Sequence, residues 1–177
     1  MNKTITVFGS SRPKPGEEEY EIAYNLGKLL AENKFNVCTG GYYGIMEAVS
    51  KGASGNGVEV IGITVKDWDK KGNKYLTKEI KCDSLFERIN KLIESGDTYI
   101  VLQGGTGTLL ELAAVWELAN KDLMMLKPIV CHSSMWQGIV SIMNLQMEKE
   151  ERSTDLVKAF ESIEDIVKYI ISSISDK

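Results

Sequence analysis

Apolar positions along the chain switch repeatedly between short continuous runs and the three-and-four spacing of an amphipathic helix. Thr4-Ile5-Thr6-Val7-Phe8 is the first run and predicts a buried strand. Behind it, Ile22, Ala23, Leu26, Leu29 and Leu30 share one helical face, and Glu17, Glu18 and Glu19 favour the positive end of that helix. Further runs at 35–38, 58–65, 98–102 and 128–131 predict strands, with a short one around Ile80. Helical spacing predicts a helix over 45–54. A second carries Leu85, Ile89, Leu92 and Ile93, capped by Asp83 and ended by Gly96. Others cover 109–120 and 136–147, and a last one behind Ser162 carries Ile163, Ile166, Val167 and Ile170. Residues 66–77 are polar, with Trp68 and Tyr75 as their large rings, and read as a surface loop forming a rim.

Strands that are apolar on both faces and alternate with helices imply a parallel sheet covered on each side. The expected architecture is one doubly wound, Rossmann-like α/β domain over residues 1–177, without linker or repeat. Ligands in such folds sit beyond the carboxyl ends of the strands, near the switch in strand order. Three turns of small residues fall at such ends: Gly9-Ser10-Ser11, Thr39-Gly40-Gly41-Tyr42-Tyr43-Gly44 and Gly104-Gly105-Thr106-Gly107-Thr108.

The last of these turns carries the chemistry. A strand, a glycine loop and a helix present free backbone N–H groups to an anion, and glycines let a phosphate approach the backbone. Thr106 and Thr108 add hydroxyls, and Glu111 stands one turn inside the helix. Thr108-x-x-Glu111 before an apolar run equally fits a capping box, so the local pattern leaves both readings open. The loop is neither a Walker loop nor the G-x-G-x-x-G fingerprint. Arg88, on the preceding helix, is a candidate to face the anion or Glu111; beside Glu87 and Glu94 it equally fits a solvated face.

Composition narrows the classes. The net charge of −4 gives no basic field for nucleic acid. Cys38, Cys82 and Cys131 are odd in number and widely spaced, which predicts free thiols rather than a disulfide framework. With His132 as the only histidine, a Cys/His metal site is not expected. The absence of a leader-like start and of a membrane-length apolar run makes the cytoplasm the expected location.

In combination these motifs resemble the LOG family of nucleoside 5′-monophosphate phosphoribohydrolases, once labelled lysine decarboxylases. The family's Pro-Gly-Gly-x-Gly-Thr-x-x-Glu pattern aligns with residues 103–111, with Gln103 in place of the proline. Its arginine, fifteen residues earlier, falls on Arg88, and its aspartate on Asp97. The Gly-Gly-Gly-x-x-Gly-Leu-Met-Gly pattern aligns with residues 39–47, with Thr39 and Glu47 replacing the flanking glycines. Ile89 stands where the family usually has lysine, and Gly9, Ser10 and Ser11 match its Gly-Ser-Ser. The likeness covers about three quarters of the chain. It implies Glu111 and Arg88 as catalytic residues. It implies Gly9, Ser10, Ser11, Gly40, Gly41, Gly44, Met46, Gly104, Gly105, Thr106, Gly107 and Thr108 as the nucleotide and phosphate site. Neither a metal nor a cofactor is called for. A pyridoxal phosphate enzyme needs a marked Schiff-base lysine and pyridinium partner, and neither is evident.

Two functions are therefore expected in competition. One is hydrolysis of the N-glycosidic bond of an AMP-like nucleoside monophosphate; the other is binding of a nucleotide or phosphate-bearing cofactor without turnover, as in a molybdenum-cofactor carrier. A homodimer is expected as well, because the helix over 109–120 is apolar nearly all round and runs into Leu123-Met124-Met125-Leu126. Pairing through helices near the glycine motif is also what the resemblance implies.

Overall fold

In the computed structural model, which describes residues 2–66, 68 and 71–175, strands and helices alternate along the chain. The strands are β1 (Thr4–Phe8), β2 (Asn36–Thr39), β3 (Val60–Val65), β4 (Lys78–Cys82), β5 (Thr98–Val101), β6 (Ile129–His132) and β7 (Val157–Phe160). The helices are α1 (Glu18–Glu32), α2 (Ile45–Ala53), α3 (Leu85–Ser95), α4 (Thr106–Asn120), α5 (Ser134–Lys149) and α6 (Ile163–Ser175). The strands form one parallel sheet in the order β4-β3-β2-β1-β5-β6-β7. Strand order reverses at β1, which has β2 on one side and β5 on the other, so the doubly wound fold expected from the pattern is the one observed.

Side-chain alternation along the central strands builds two cores. Ile5, Val7, Val37, Ile100 and Leu102 face α1, α2 and α6. Phe8, Cys38, Ile63, Tyr99 and Val101 face α3, α4 and α5. Continuous apolar runs in the sequence are the record of this two-sided burial. The three cysteines are free and buried, and burial pushes the Cys38 and Cys131 thiols up to about 12. No helix among the described residues is long and apolar enough to cross a membrane.

Three local expectations are corrected. The β7 strand was not read from the sequence, because four residues at a sheet edge with Lys158 exposed carry little apolar signal. Ser84, not Asp83, caps α3: its hydroxyl accepts the Glu87 N–H at 3.1 Å, and the Glu87 carboxylate accepts the Asp83 N–H at 2.6 Å. Thr108 caps nothing, since α4 already starts at Thr106 behind Gly105, which ends the capping-box reading.

Helices α1 and α2 pack backbone to backbone. A Cβ on Gly27 would strike the Val49 carbonyl, and one on Gly52 would strike the Tyr24 carbonyl and lie 2.9 Å from the Lys28 nitrogen. On the other side of the sheet, α4 and α5 leave an apolar strip uncovered. Leu109 and Met143 are exposed along it, whereas Leu145 lines a separate groove on α5 and Met125 and Leu126 stand beside Lys3 and Asp97 at the amino end of the sheet. A groove of about 400 Å³ runs between the two helices.

Gly52→Val should lower stability in denaturant unfolding by about 2 kcal/mol, the cost of overpacking. Gly138→Ala, in open space on α5, should raise it by about 0.5–1 kcal/mol through helix propensity. Equal effects at the two sites would contradict the close crossing of α1 and α2.

Candidate functional site

The turns after β1, β2 and β5 meet at the switch in strand order. They are bonded to one another: Ser10 donates its N–H to the Gln103 carbonyl at 3.0 Å, and Ile45 donates to the Ser10 carbonyl at 2.8 Å. Between them opens a cleft of about 500 Å³. Gly105, Thr106, Gly107 and Thr108 form one wall, and Gly9, Ser10, Ser11 and Arg12 another. The first helical bond of α4 is donated by Leu109 to the Gly105 carbonyl, so the N–H groups of Thr106, Gly107 and Thr108 precede the helix ladder. A helix start with free N–H groups in a cleft wall favours an anion.

Glu111 lies at the floor of the cleft, 8% exposed, and Arg88 comes to it from α3, 5% exposed. One guanidinium nitrogen of Arg88 is 3.4 Å from Glu111 Oε1. The others are committed elsewhere: Nε donates to the Ile63 carbonyl at 2.8 Å and Nη2 to the Gly40 carbonyl at 3.2 Å. Nη2 also reaches Met46 Sδ at 3.8 Å, so Arg88 spreads its donors over four partners instead of forking onto one carboxylate. Desolvation pushes the Glu111 carboxyl up to about 7, against the downward pull of Arg88.

Beside Arg88 stand two rings. Tyr42 is buried and fixed by its hydroxyl, which accepts the Val65 N–H at 2.8 Å. Trp68 stacks on Tyr42 with centroids 5.5 Å apart. The Arg88 guanidinium carbon lies 5.7 Å from the Tyr42 ring centre and 5.6 Å from that of Trp68.

Of the expected site residues, Gly9, Ser10, Ser11, Met46, Arg88, Gly105, Thr106, Gly107, Thr108 and Glu111 line the cleft together. The remaining glycines shape it from behind. A Cβ on Gly40 would strike the Arg88 guanidinium, and Gly44 has φ +67 with the Ser10 and Ser11 backbone against it. Gly41 packs on Gly62 of β3, and a Cβ on Gly104 would strike Thr108. Asp97 sits at the opposite end of the sheet, where it accepts the Thr4 N–H at 2.9 Å and pairs with Lys3 at 3.1 Å. Arg12, Tyr42, Tyr43 and Trp68 also line the cleft and stood outside the expected site residues; the signal for Arg12 was a cation directly after the Gly-Ser-Ser turn. Among the described residues, no three His, Cys, Asp or Glu side chains gather as a metal site.

Comparison with known proteins places this geometry. The model of the SLOG cluster4 family matches residues 2–166. A protein of Archaeoglobus fulgidus described as uncharacterized is 32% identical over 157 residues, covering 89% of this chain and 88% of that protein. The cytokinin riboside 5′-monophosphate phosphoribohydrolase of Mycobacterium tuberculosis is 30% identical over 133 residues, covering 72% of this chain and 68% of the enzyme. Among solved structures, the molybdenum cofactor binding protein of Rippkaea orientalis superposes with a TM-score of 0.76 at 26% identity, covering 98% of each chain. With its glycine loop, its Arg88–Glu111 pair and these matches, the chain belongs to the SLOG cluster4 family, within the LOG-like proteins.

Proposed function

We propose that the protein hydrolyses the N-glycosidic bond of a nucleoside 5′-monophosphate, releasing the base and ribose 5-phosphate. The observation that carries this reading is a buried carboxylate, Glu111, raised to about 7 and set one turn beyond a helix start suited to phosphate. In this reading the N–H groups and hydroxyls of residues 105–108 hold the phosphate and so orient the sugar. The bond from C1′ to the base breaks through an oxocarbenium-like centre. Ionised Glu111 stabilises that positive charge and orients the water, whose oxygen bonds to C1′. The proton that water loses balances the one the departing base gains. Arg88, pinned by two carbonyls, holds Glu111 in place. The phosphoribohydrolase relatives support this reading.

A second reading keeps the same cleft as a carrier site for a phosphate-bearing cofactor without turnover. The likeness to the molybdenum cofactor binding protein over nearly the whole chain favours it. Incubation with AMP separates the two: free adenine supports hydrolysis, and binding without adenine supports the carrier. Glu111→Gln should cut adenine release at least about 100-fold while leaving AMP binding within a few-fold. Near-normal turnover in that variant would end the proposed mechanism.

The pH profile follows from the same residue. Its folded-state value of about 7 lies above the ordinary 4.5, so Glu111 is protonated below 7 and ionised above it. Since the mechanism needs the carboxylate, kcat/KM should fall about tenfold per pH unit below 7 and level off above it. A profile flat from pH 5 to 8 would contradict the assignment.

Gly105 tests the phosphate wall. It has φ −96 and no atom within 4 Å of an added Cβ, so a side chain there meets neither left-handed strain nor a clash. Gly105→Val should fold normally, checked by circular dichroism, and weaken AMP binding at least about tenfold by crowding the anion. Unchanged affinity would move the phosphate elsewhere.

The proposal includes a homodimer built on the apolar strip of α4 and α5, which begins at Leu109, next to the cleft residue Thr108. Met143, 41% exposed in the groove between these helices, is the probe; Trp116 is 7% exposed and belongs to the core, where a charge would unfold the chain. Light scattering should give twice 19.7 kDa for the wild type, and Met143→Lys should lower both mass and activity. A fully active wild-type monomer would contradict the pairing.

A further inference from the structure

The chain has three tryptophans, and their placements differ. Trp116 and Trp136 belong to the core under α4 and α5, where Trp136 donates its Nε1–H to the Leu102 carbonyl at 3.0 Å. Trp68 belongs to neither core cluster; it lines the cleft and is 40% exposed. A large ring held open to water in a polar connection contributes little to folding. Yet the ring is not left loose, since it stacks on buried Tyr42 at an interplanar angle of 27°.

The connection between β3 and β4 is fastened on both sides of Trp68. Before it, Lys66 donates its N–H to the Cys82 carbonyl at 2.9 Å. After it, Asn73 is 6% exposed and spends its polar atoms on the neighbouring turn. Its backbone N–H goes to the Gly41 carbonyl at 2.8 Å. Its side-chain amide goes to the Gly41 and Tyr42 carbonyls at 3.2 and 3.0 Å, and its Oδ1 accepts the Tyr75 N–H at 3.1 Å. The turn that carries Tyr42 is thus bonded to Asn73 of the connection that carries Trp68.

We infer that Trp68 is the plate on which the planar heterocycle of the ligand stacks, and that Asn73 is the positioning residue that holds this plate. The inference rests on the nucleotide reading of the cleft. With the phosphate at the start of α4, the base is left for the wall that Tyr42 and Trp68 form. Every base has a π-face, so an aromatic plate selects planarity and not a pattern of hydrogen bonds. The substrate class is therefore monophosphates of purines or other flat heterocycles, and the sugar phosphate left after cleavage is held less tightly.

Titration calorimetry with two probes tests this: formycin 5′-monophosphate, a carbon-linked AMP analogue whose base cannot be released, and ribose 5-phosphate. The wild type should bind the first at least about fivefold more tightly, the low end of base–aromatic stacking. Trp68→Leu should bring that ratio close to one while leaving ribose 5-phosphate affinity unchanged, and Trp68→Phe should keep most of it. Asn73→Asp retains shape but loses both amide hydrogens, and should reduce the ratio as well. If Trp68→Leu weakens both probes equally, Trp68 only covers Arg88 and the inference is overturned. An unchanged ratio places the base elsewhere and overturns it too. A wild type that binds both probes equally keeps the phosphate site but removes the plate, whereas a wild type that binds neither removes the nucleotide reading and the plate with it.

Discussion

A carboxylate buried beside a single guanidinium is the constraint around which the cleft is arranged. Arg88 reaches across the end of the sheet and bonds to β3 at Ile63, to the turn after β2 at Gly40 and to α4 at Glu111. Its cation is thus fixed by elements far apart in sequence. Removing it would leave a buried acid without a counter-charge and two carbonyls without a donor, which is costly in a low-dielectric site. Gly40 follows from the same constraint, because a side chain there would occupy the place of the guanidinium. So does the pair of rings beside it, which hold the hydrophobic side of the cation.

The same burial that makes the pair costly raises the titration of its acid. A carboxyl near 7 changes charge within the pH range where most proteins work. Its neighbour on α4 is the helix start, whose free N–H groups favour negative charge. Helix start, acid and cation therefore lie within one cleft at the switch point, where the parallel sheet provides an opening between β1 and β5. The uncovered strip of α4 and α5 begins one residue beyond Thr108, which places any partner on this surface beside the cleft.

Much of this was legible in the sequence, for reasons that differ from residue to residue. Strands β1, β2, β3, β5 and β6 were readable because burial on both faces leaves continuous apolar runs. The edge strand β7 was not, because an edge needs only half a face. The glycine turns could be placed at strand ends, but the sequence did not distinguish glycines that line the cleft, such as Gly105, from those that make room behind it, such as Gly40. Arg88 was indistinguishable from a solvated helix residue until resemblance pointed to it, since its partners are carbonyls of other strands and carbonyls carry no residue signature. Asp97 aligned with a family position, yet it lies at the amino end of the sheet and pins β1 to β5. The roles of Asn73 and Trp68 depend on contacts between two loops, which neither periodicity nor spacing records.

The central claim is that burial, opposed by one spread-out cation, tunes Glu111 for its chemistry. The most direct measurement is a carbon-13 NMR titration of the Glu111 side-chain carboxyl, assigned by comparison with Glu111→Gln. The account predicts a midpoint near 7 in the ligand-free protein. A midpoint in the ordinary carboxylate range near 4.5 would contradict it.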